Sequence, residues 1–273
     1  MLPILFSLAS IKIYTFGVFL VLSFFWGSFL LWKLIRLTSF KEEEVFDGLF
    51  FALGFSLFFG RFFYVILNFS DFGFSLLKFI LINGYPGLSL YGVFFGGFLG
   101  LLIFTLVKKI KFFLLIDYFI APLFLALGFG KLGSFFSGAE VGTKTKFFLA
   151  VKYTGFDDLR HLTPFYESLF FFLGCYFAYK ILFLIRKDKL HLGFLFYFFV
   201  WYFSLVYFLF DKIKEHHLYF FGLSFNLIVS QIILLTTTVY FLYYFRNQII
   251  INLKKYGSFS KKFYRRAKEK IRK

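Results

Sequence analysis

Disulfides are excluded at the outset. The 273 residues include one cysteine, Cys175, and a single thiol cannot cross-link its own chain. It lies among Phe, Leu and Gly, with no neighbour that would activate a nucleophile. No G-x-S-x-G turn and no phosphate-binding P-loop occurs, which removes the commonest signatures of serine hydrolases and nucleotide enzymes. Close His/Cys/Asp/Glu spacing of the kind that holds a metal is missing; the adjacent His216 and His217 read as a solvated loop pair. There is no internal repeat, so the inverted-repeat architecture of many transporters has no support. The N-terminus "MLPILFSLASIKIY" lacks both a basic leader and an A-x-A site, and reads as mature sequence rather than a cleaved signal peptide. Acidic residues are scarce: 14 Asp+Glu face 31 Lys+Arg, for a formal net charge of +17.

What the chain has in abundance is phenylalanine. It carries 53 Phe and is 60% hydrophobic, more apolar surface than a soluble core of this size can hide, whereas lipid-facing residues need no polar cover. A helix crosses the hydrocarbon layer in about 20 apolar residues. Seven runs qualify, at 14–35, 46–68, 88–107, 112–136, 165–185, 190–211 and 222–245. The expected fold is therefore an all-α polytopic membrane protein of about seven transmembrane helices. Residues 1–245 form a single transmembrane domain and 246–273 a basic tail. Gly and Ser cluster in "GVFFGGFLG" and "ALGFGKLGSFFSG", so these segments should pack centrally, where small residues let helices approach. Short loops one, three and five carry Lys33, Arg36, Lys41, Lys108, Lys109, Lys111, Arg186, Lys187 and Lys189, and the tail from Arg246 adds 11 basic residues. The opposite side carries eight, Lys212 and Lys214 among them. The bias puts the N-terminus outside and the C-terminus in the cytoplasm. The tail should lie on anionic headgroups. A nucleic-acid partner is not expected, because no base-stacking or groove-reading element accompanies it.

Two outer loops are long. Residues 69–87 allow a short interfacial helix, and the alternation in "FFLAVKY" within 137–164 allows a short strand or hairpin. Against this apolar background the ionisable residues within or beside a span are functional candidates. Arg61 sits in mid-run and could grip a phosphate bidentately. Lys131 ends the fourth run. Gly128, Gly130 and Gly133 around it, with the hydroxyls of Ser134 and Ser137, suggest a polar nest for a headgroup phosphate. Glu140, His161 and Glu167 are the polar groups of the same region, with Asp157 and Asp158 in the loop. Asp117, near the start of the fourth run, reads equally as a helix cap and as a catalytic group.

In order along the chain, these pieces resemble the prolipoprotein diacylglyceryl transferase family of bacterial membranes. "FDGLFFALGFSLFFGRFFYVILN" resembles its second helix, with Arg61 at the family arginine. "GLSLYGVFFGGFLG" is similar to G-L-S-F-[HY]-G-G-x-x-G-G, which puts Tyr91 where many members have His. "DYFIAPLFLALGFGKLGSFFSGAEVGTKT" resembles D-x-x-A-P-x-x-x-A-x-G-x-x-x-G-R-[IL]-G-N-F-x-N-G-E, and "RHLTPFYES" resembles R-H-P-[ST]-x-L-Y-E. The resemblance implies an enzyme of the bacterial inner (plasma) membrane. Such enzymes transfer the diacylglyceryl group of phosphatidylglycerol to the lipobox cysteine of a prolipoprotein signal peptide, forming a thioether and releasing glycerol 1-phosphate. No cofactor and no metal is implied, and membrane lipids are the surroundings.

On that basis Lys131, Glu140, Tyr91 and His161 are the catalytic candidates. Arg61, Lys131, Ser134, Ser137, Tyr166 and Glu167 are the substrate-binding ones. Departures from the family pattern are plain. Its G-R-[IL]-G arginine is Lys131, its Asn is Ser134, and its Glu falls at Ala139 with Glu140 one place late. An Arg and a Glu of the sixth run have no counterpart before Asp211 and Lys212. The alternative reading is a relative that binds phospholipid or lipoprotein precursor without transfer.

Overall fold

The computed structural model describes residues 2–8, 11–81, 84–215, 219–220, 223–248 and 250; most of the basic tail, and His216 and His217, lie outside them. Nine α-helices are described: α1 Thr15–Ile35, α2 Glu42–Leu67, α3 Phe69–Phe72, α4 Leu76–Ile80, α5 Leu90–Lys108, α6 Phe112–Ser137, α7 Thr163–Ile185, α8 Phe194–Phe210 and α9 Phe225–Tyr244. All but α3 and α4 are parts of seven segments long and apolar enough to span a bilayer, and the chain is an all-α polytopic membrane protein. Each expected run is matched by one helix within a few residues. α2 begins four residues before its run because Glu42, Glu43 and Glu44 occupy its first turn, where negative charge complements the helix dipole. α8 begins late, after Gly193 turns the chain at φ +85°.

Among the described residues three small antiparallel strand pairs accompany the helices: β1 Ile4–Leu8 with β2 Ile11–Tyr14, β3 Val151–Lys152 with β4 Leu159–Arg160, and β5 Tyr219–Phe220 with β6 Leu223–Ser224. The β3–β4 hairpin falls in the loop where alternation allowed one, and α3 and α4 occupy the loop expected to hold an interfacial helix. The first hairpin was not anticipated. It is tied down by Leu2 N–H donating to Phe136 O at 3.0 Å and by the Thr15 hydroxyl donating to Leu2 O.

The chain forms two compact units. The first comprises residues 1–199 and 213–216. Within it α2 packs on α5, α1 on α6, and α6 on α7. The helices are inside-out relative to a soluble protein. Phe50, Phe58 and Phe62 of α2 are exposed, while its buried stripe includes Gly48, Ala52, Ser56 and Gly60. α5 answers with Gly92, Gly96 and Gly100. A Cβ at Gly96 would stand 2.3 Å from Phe55 O, and one at Gly92 2.4 Å from Phe59 O. Lipid offers no hydrophobic drive for helix association, so close backbone approach supplies dispersion contacts instead. Asp117 of α6 is buried and accepts from Gly193 N–H at 2.7 Å and Leu195 N–H at 3.2 Å. It thus caps α8 rather than its own helix, satisfying donors that the hydrocarbon layer would otherwise leave unpaired. In the second unit Trp201 Nε1 donates to Thr238 at 3.0 Å, and its ring meets Phe241 edge-on at 6.2 Å.

The α2–α5 contact leads to a test. Gly96→Leu must push the helices apart, at a cost of about 1–3 kcal/mol by the overpacking rule. It is expected to lower the thermal unfolding temperature in detergent, whereas Gly17→Leu, with open space at its Cβ, is not.

Candidate functional site

α6 is where the site begins. Its 26 residues end at Ser137, and Gly138 follows in the left-handed region at φ +74°. Such a residue closes a helix by turning the chain back on its last carbonyls. Gly138 N–H donates to Phe135 O at 3.2 Å and Ala139 N–H to Ser134 O at 3.0 Å. The Ser137 hydroxyl bonds Ser134 O and receives Ala139 N–H, each at 3.3 Å. The reversal carries Glu140 back over the helix it has just left.

Glu140 lands on Lys131. The Lys131 ammonium donates to both its oxygens, at 2.7 and 2.6 Å, and Ser134 Oγ lies 3.3 Å from Oε1. Lys131 also pairs with Glu167 Oε2 at 2.8 Å, and Lys214 pairs with Glu167 Oε1 at 2.6 Å. The Glu167 side chain is 0% exposed, those of Lys131 and Lys214 10% each, and that of Glu140 39%. Two ammoniums and two carboxylates thus share one buried cluster, in which Glu140 is the member open to the outside. Glu167 stands in the second turn of α7, near the helix N-terminus, which favours an anion.

Lys214 arrives by backbone pairing. Thr143 N–H donates to Ile213 O at 2.9 Å and Glu215 N–H to Val141 O at 3.1 Å, which lays 213–215 antiparallel to 141–143. The Thr163 hydroxyl also donates to Ile213 O, at 2.9 Å. On the other side His161 N–H donates to Thr143 O at 3.0 Å. Gly142 lies in the middle, where a Cβ would stand 2.3 Å from His161 O. Arg160 fastens the ribbon, pairing with Glu215 at 2.9 Å, donating to Gly142 O at 3.2 Å and covering the Phe156 ring at 4.0 Å.

Two titrating groups around the cluster, both outside the spans, are strongly perturbed. Burial works to raise the Glu140 carboxyl, but the Lys131 and Lys214 charges and the bonds from Lys131 and Ser134 outweigh it and pull its pKa down to about 2. Tyr153, buried and donating to His161 O at 3.2 Å, is pushed up to about 12, by burial first and then by Tyr166 and Glu140. At neutral pH Glu140 is therefore ionised and balances the charge of the ammoniums beside it.

The other sequence candidates sort clearly. His161 lies six residues before Glu167, its ring 6.5 Å from that of Tyr166, and its buried Nδ1 has no hydrogen-bond partner among the described residues. Tyr91 sits half-buried in the first turn of α5. Arg61 is placed differently from the phosphate-gripping arrangement anticipated for it. It is 2% exposed, and its guanidinium donates to Phe79 O and Gly87 O at 2.9 Å and to Lys78 O at 2.6 Å. Its flanks are the rings of Phe72 and Tyr64. These bonds clamp the 69–87 loop. Of the glycines beside Lys131, Gly128 accommodates Phe172 and Gly133 accommodates Phe19. Asp157 and Asp158 pair with Lys152 and Lys144 at the surface. Lys214 was missed as a site residue; its only sequence signal was a basic residue just beyond a span.

The family model for prolipoprotein diacylglyceryl transferase matches residues 3–243. Similar proteins include the phosphatidylglycerol–prolipoprotein diacylglyceryl transferases of Clostridioides difficile, Fusobacterium nucleatum and Desulfotalea psychrophila. The first is 28% identical over 188 residues, covering 69% of this chain and 73% of the relative. The second is 28% identical over 166 residues, 60% and 55% respectively. The third is 33% identical over 171 residues, 61% and 62%.

The charge cluster generates two expectations. Glu167→Gln leaves two buried ammoniums facing a neutral amide, so stability should fall by about 3–5 kcal/mol, read as a lower thermal unfolding temperature in detergent. Glu140 has a folded pKa near 2 against an ordinary 4.5. Its contribution is therefore complete above the unfolded value and lost as pH falls through the folded one. Unfolding temperature should fall less steeply in Glu140→Gln than in wild type as pH drops from about 4.5 to 2.

Proposed function

The chain belongs to the prolipoprotein diacylglyceryl transferase family, and from that premise we propose that it transfers the diacylglyceryl group of phosphatidylglycerol to the lipobox cysteine of a bacterial prolipoprotein. The cysteine sulfur forms a bond to the glyceryl carbon, the bond from that carbon to the phosphate oxygen breaks, glycerol 1-phosphate leaves, and the thiol loses its proton. The enzyme has to supply positive charge at the leaving phosphate and an acceptor for the proton. The nucleophile comes with the substrate.

Lys131 carries this reading. It is a buried ammonium at the end of a membrane-spanning helix, beside a half-exposed carboxylate and next to the loop through which a polar headgroup would reach it. Buried charge in such a position costs stability and is retained where it does chemistry. For the proton, His161 is the best supported of the sequence candidates. Among the described residues its buried Nδ1 has no hydrogen-bond partner, whereas Glu140 is held ionised by two lysines. Glu167 keeps Lys131 in place, and Arg61 holds the outer loop. The basic-residue bias puts the site at the outer face of the bacterial inner membrane, with the N-terminus outside.

The test is a transfer assay. Full-length protein in phosphatidylglycerol vesicles receives a lipobox peptide, and mass spectrometry looks for a diacylglyceryl adduct on its cysteine. Wild type should give the adduct, and Lys131→Ala should lose at least about 100-fold in rate, the cost of removing one charge-stabilising donor, with insertion unchanged. Folded wild-type protein that binds the lipid but yields no adduct would favour the binding-only reading. Full activity in Lys131→Ala would remove Lys131 from the site.

A further inference from the structure

We propose that Lys131 and Lys214 form a two-lysine phosphate clamp in which Glu140 is a resident counterion, displaced when the phosphate of a lipid headgroup enters. The inference rests on the proposed reaction for the identity of the ligand, but its argument is geometric. Glu167 is fully buried and touches both ammoniums, Lys131 at 2.8 Å and Lys214 at 2.6 Å. One rigid carboxylate therefore holds two cations side by side, separated by no more than its own width and two hydrogen bonds. Glu140 differs in each respect. It lies beyond the helix end, on the chain reversal at Gly138, and its side chain is 39% exposed. Its two oxygens take two bonds from Lys131 at 2.7 and 2.6 Å, as two non-bridging phosphate oxygens would.

The charges also match. The cluster holds two cations and two anions. A phosphodiester carries one negative charge, so its exchange for the Glu140 carboxylate leaves the buried net charge unchanged and avoids the penalty of burying an unpaired ion. Swinging outward would bring Glu140 into water. Its return after the reaction would compete with the phosphate product for Lys131. In this scheme Lys214 supplies the second cation, and it does so from the segment after α8, where the sixth run itself offers no arginine.

Binding measurements separate the clamp from the reaction. Purified full-length protein in detergent is titrated with dihexanoyl phosphatidylglycerol, with glycerol 1-phosphate, and with dihexanoylglycerol as the phosphate-free control. Lys214→Ala should weaken both phosphate ligands by about tenfold or more, in the range of a lost charged hydrogen bond, without altering the control. Lys214→Arg, which retains the charge should the alanine variant fold poorly, should restore most of the affinity. Glu140→Gln leaves Lys131 paired with Glu167 and should bind phosphatidylglycerol more tightly than wild type. Wild-type affinity in Lys214→Ala would make that lysine only a partner of Glu167 and overturn the clamp. Weaker binding in Glu140→Gln would make Glu140 a ligand contact and overturn the displacement. Lys214-dependent binding by a protein that transfers nothing would leave the clamp standing and remove the reaction. Transfer with Lys214-independent binding would do the reverse. Loss of glycerol 1-phosphate binding alone would assign the cations to a free phosphate rather than a headgroup and overturn the lipid assignment.

Discussion

A carboxylate with no exposure has to meet positive charge, and Glu167 meets two. In a chain built so heavily of phenylalanine, that requirement organises everything near the C-terminal end of α6. Lys131 must project from α6 toward α7, and the 213–215 segment must come close enough for Lys214 to complete the pair. The attraction is strong because the surroundings are poor in water, and for the same reason neither ion tolerates being left alone. The ribbon of 141–143, 159–161 and 213–215 is the scaffold that makes the meeting geometrically possible.

The rest of the described molecule keeps this polar island in an apolar setting by using small residues inside and large ones outside. Gly92, Gly96 and Gly100 let α5 lie against the backbone of α2, and Phe50, Phe58 and Phe62 are left to face lipid. Two buried charged side chains elsewhere serve backbone groups. Asp117 satisfies the first amides of α8, and Arg61 bonds two carbonyls of the short helix α4 and that of Gly87. Both solve one physical problem, the cost of an unpaired peptide group away from water.

This division separates two residues that looked alike in sequence. Arg61 and Lys131 are both cations in or beside a hydrophobic run. Three bonds from Arg61 go to backbone carbonyls. Lys131 instead meets two carboxylates, one of them 39% exposed. Glu140, one place later than the family pattern, still reaches Lys131, because a left-handed glycine lies between them and the chain direction after it is no longer helical.

Sequence alone determined the seven spans, because the bilayer demands a length of apolar residues that is written continuously along the chain. It also determined that Lys131, Glu140 and Glu167 belong to one polar region, since motif order and spacing brought them near one another. It named Lys214 only as a charge on one side of the membrane. The four-charge cluster was decided by tertiary structure, because Lys214 lies 47 residues beyond Glu167 and reaches it only through strand-like pairing between distant loops. Such pairing leaves little periodic trace in sequence. It depends on backbone groups that every residue carries, and so it is settled only when the chain is folded.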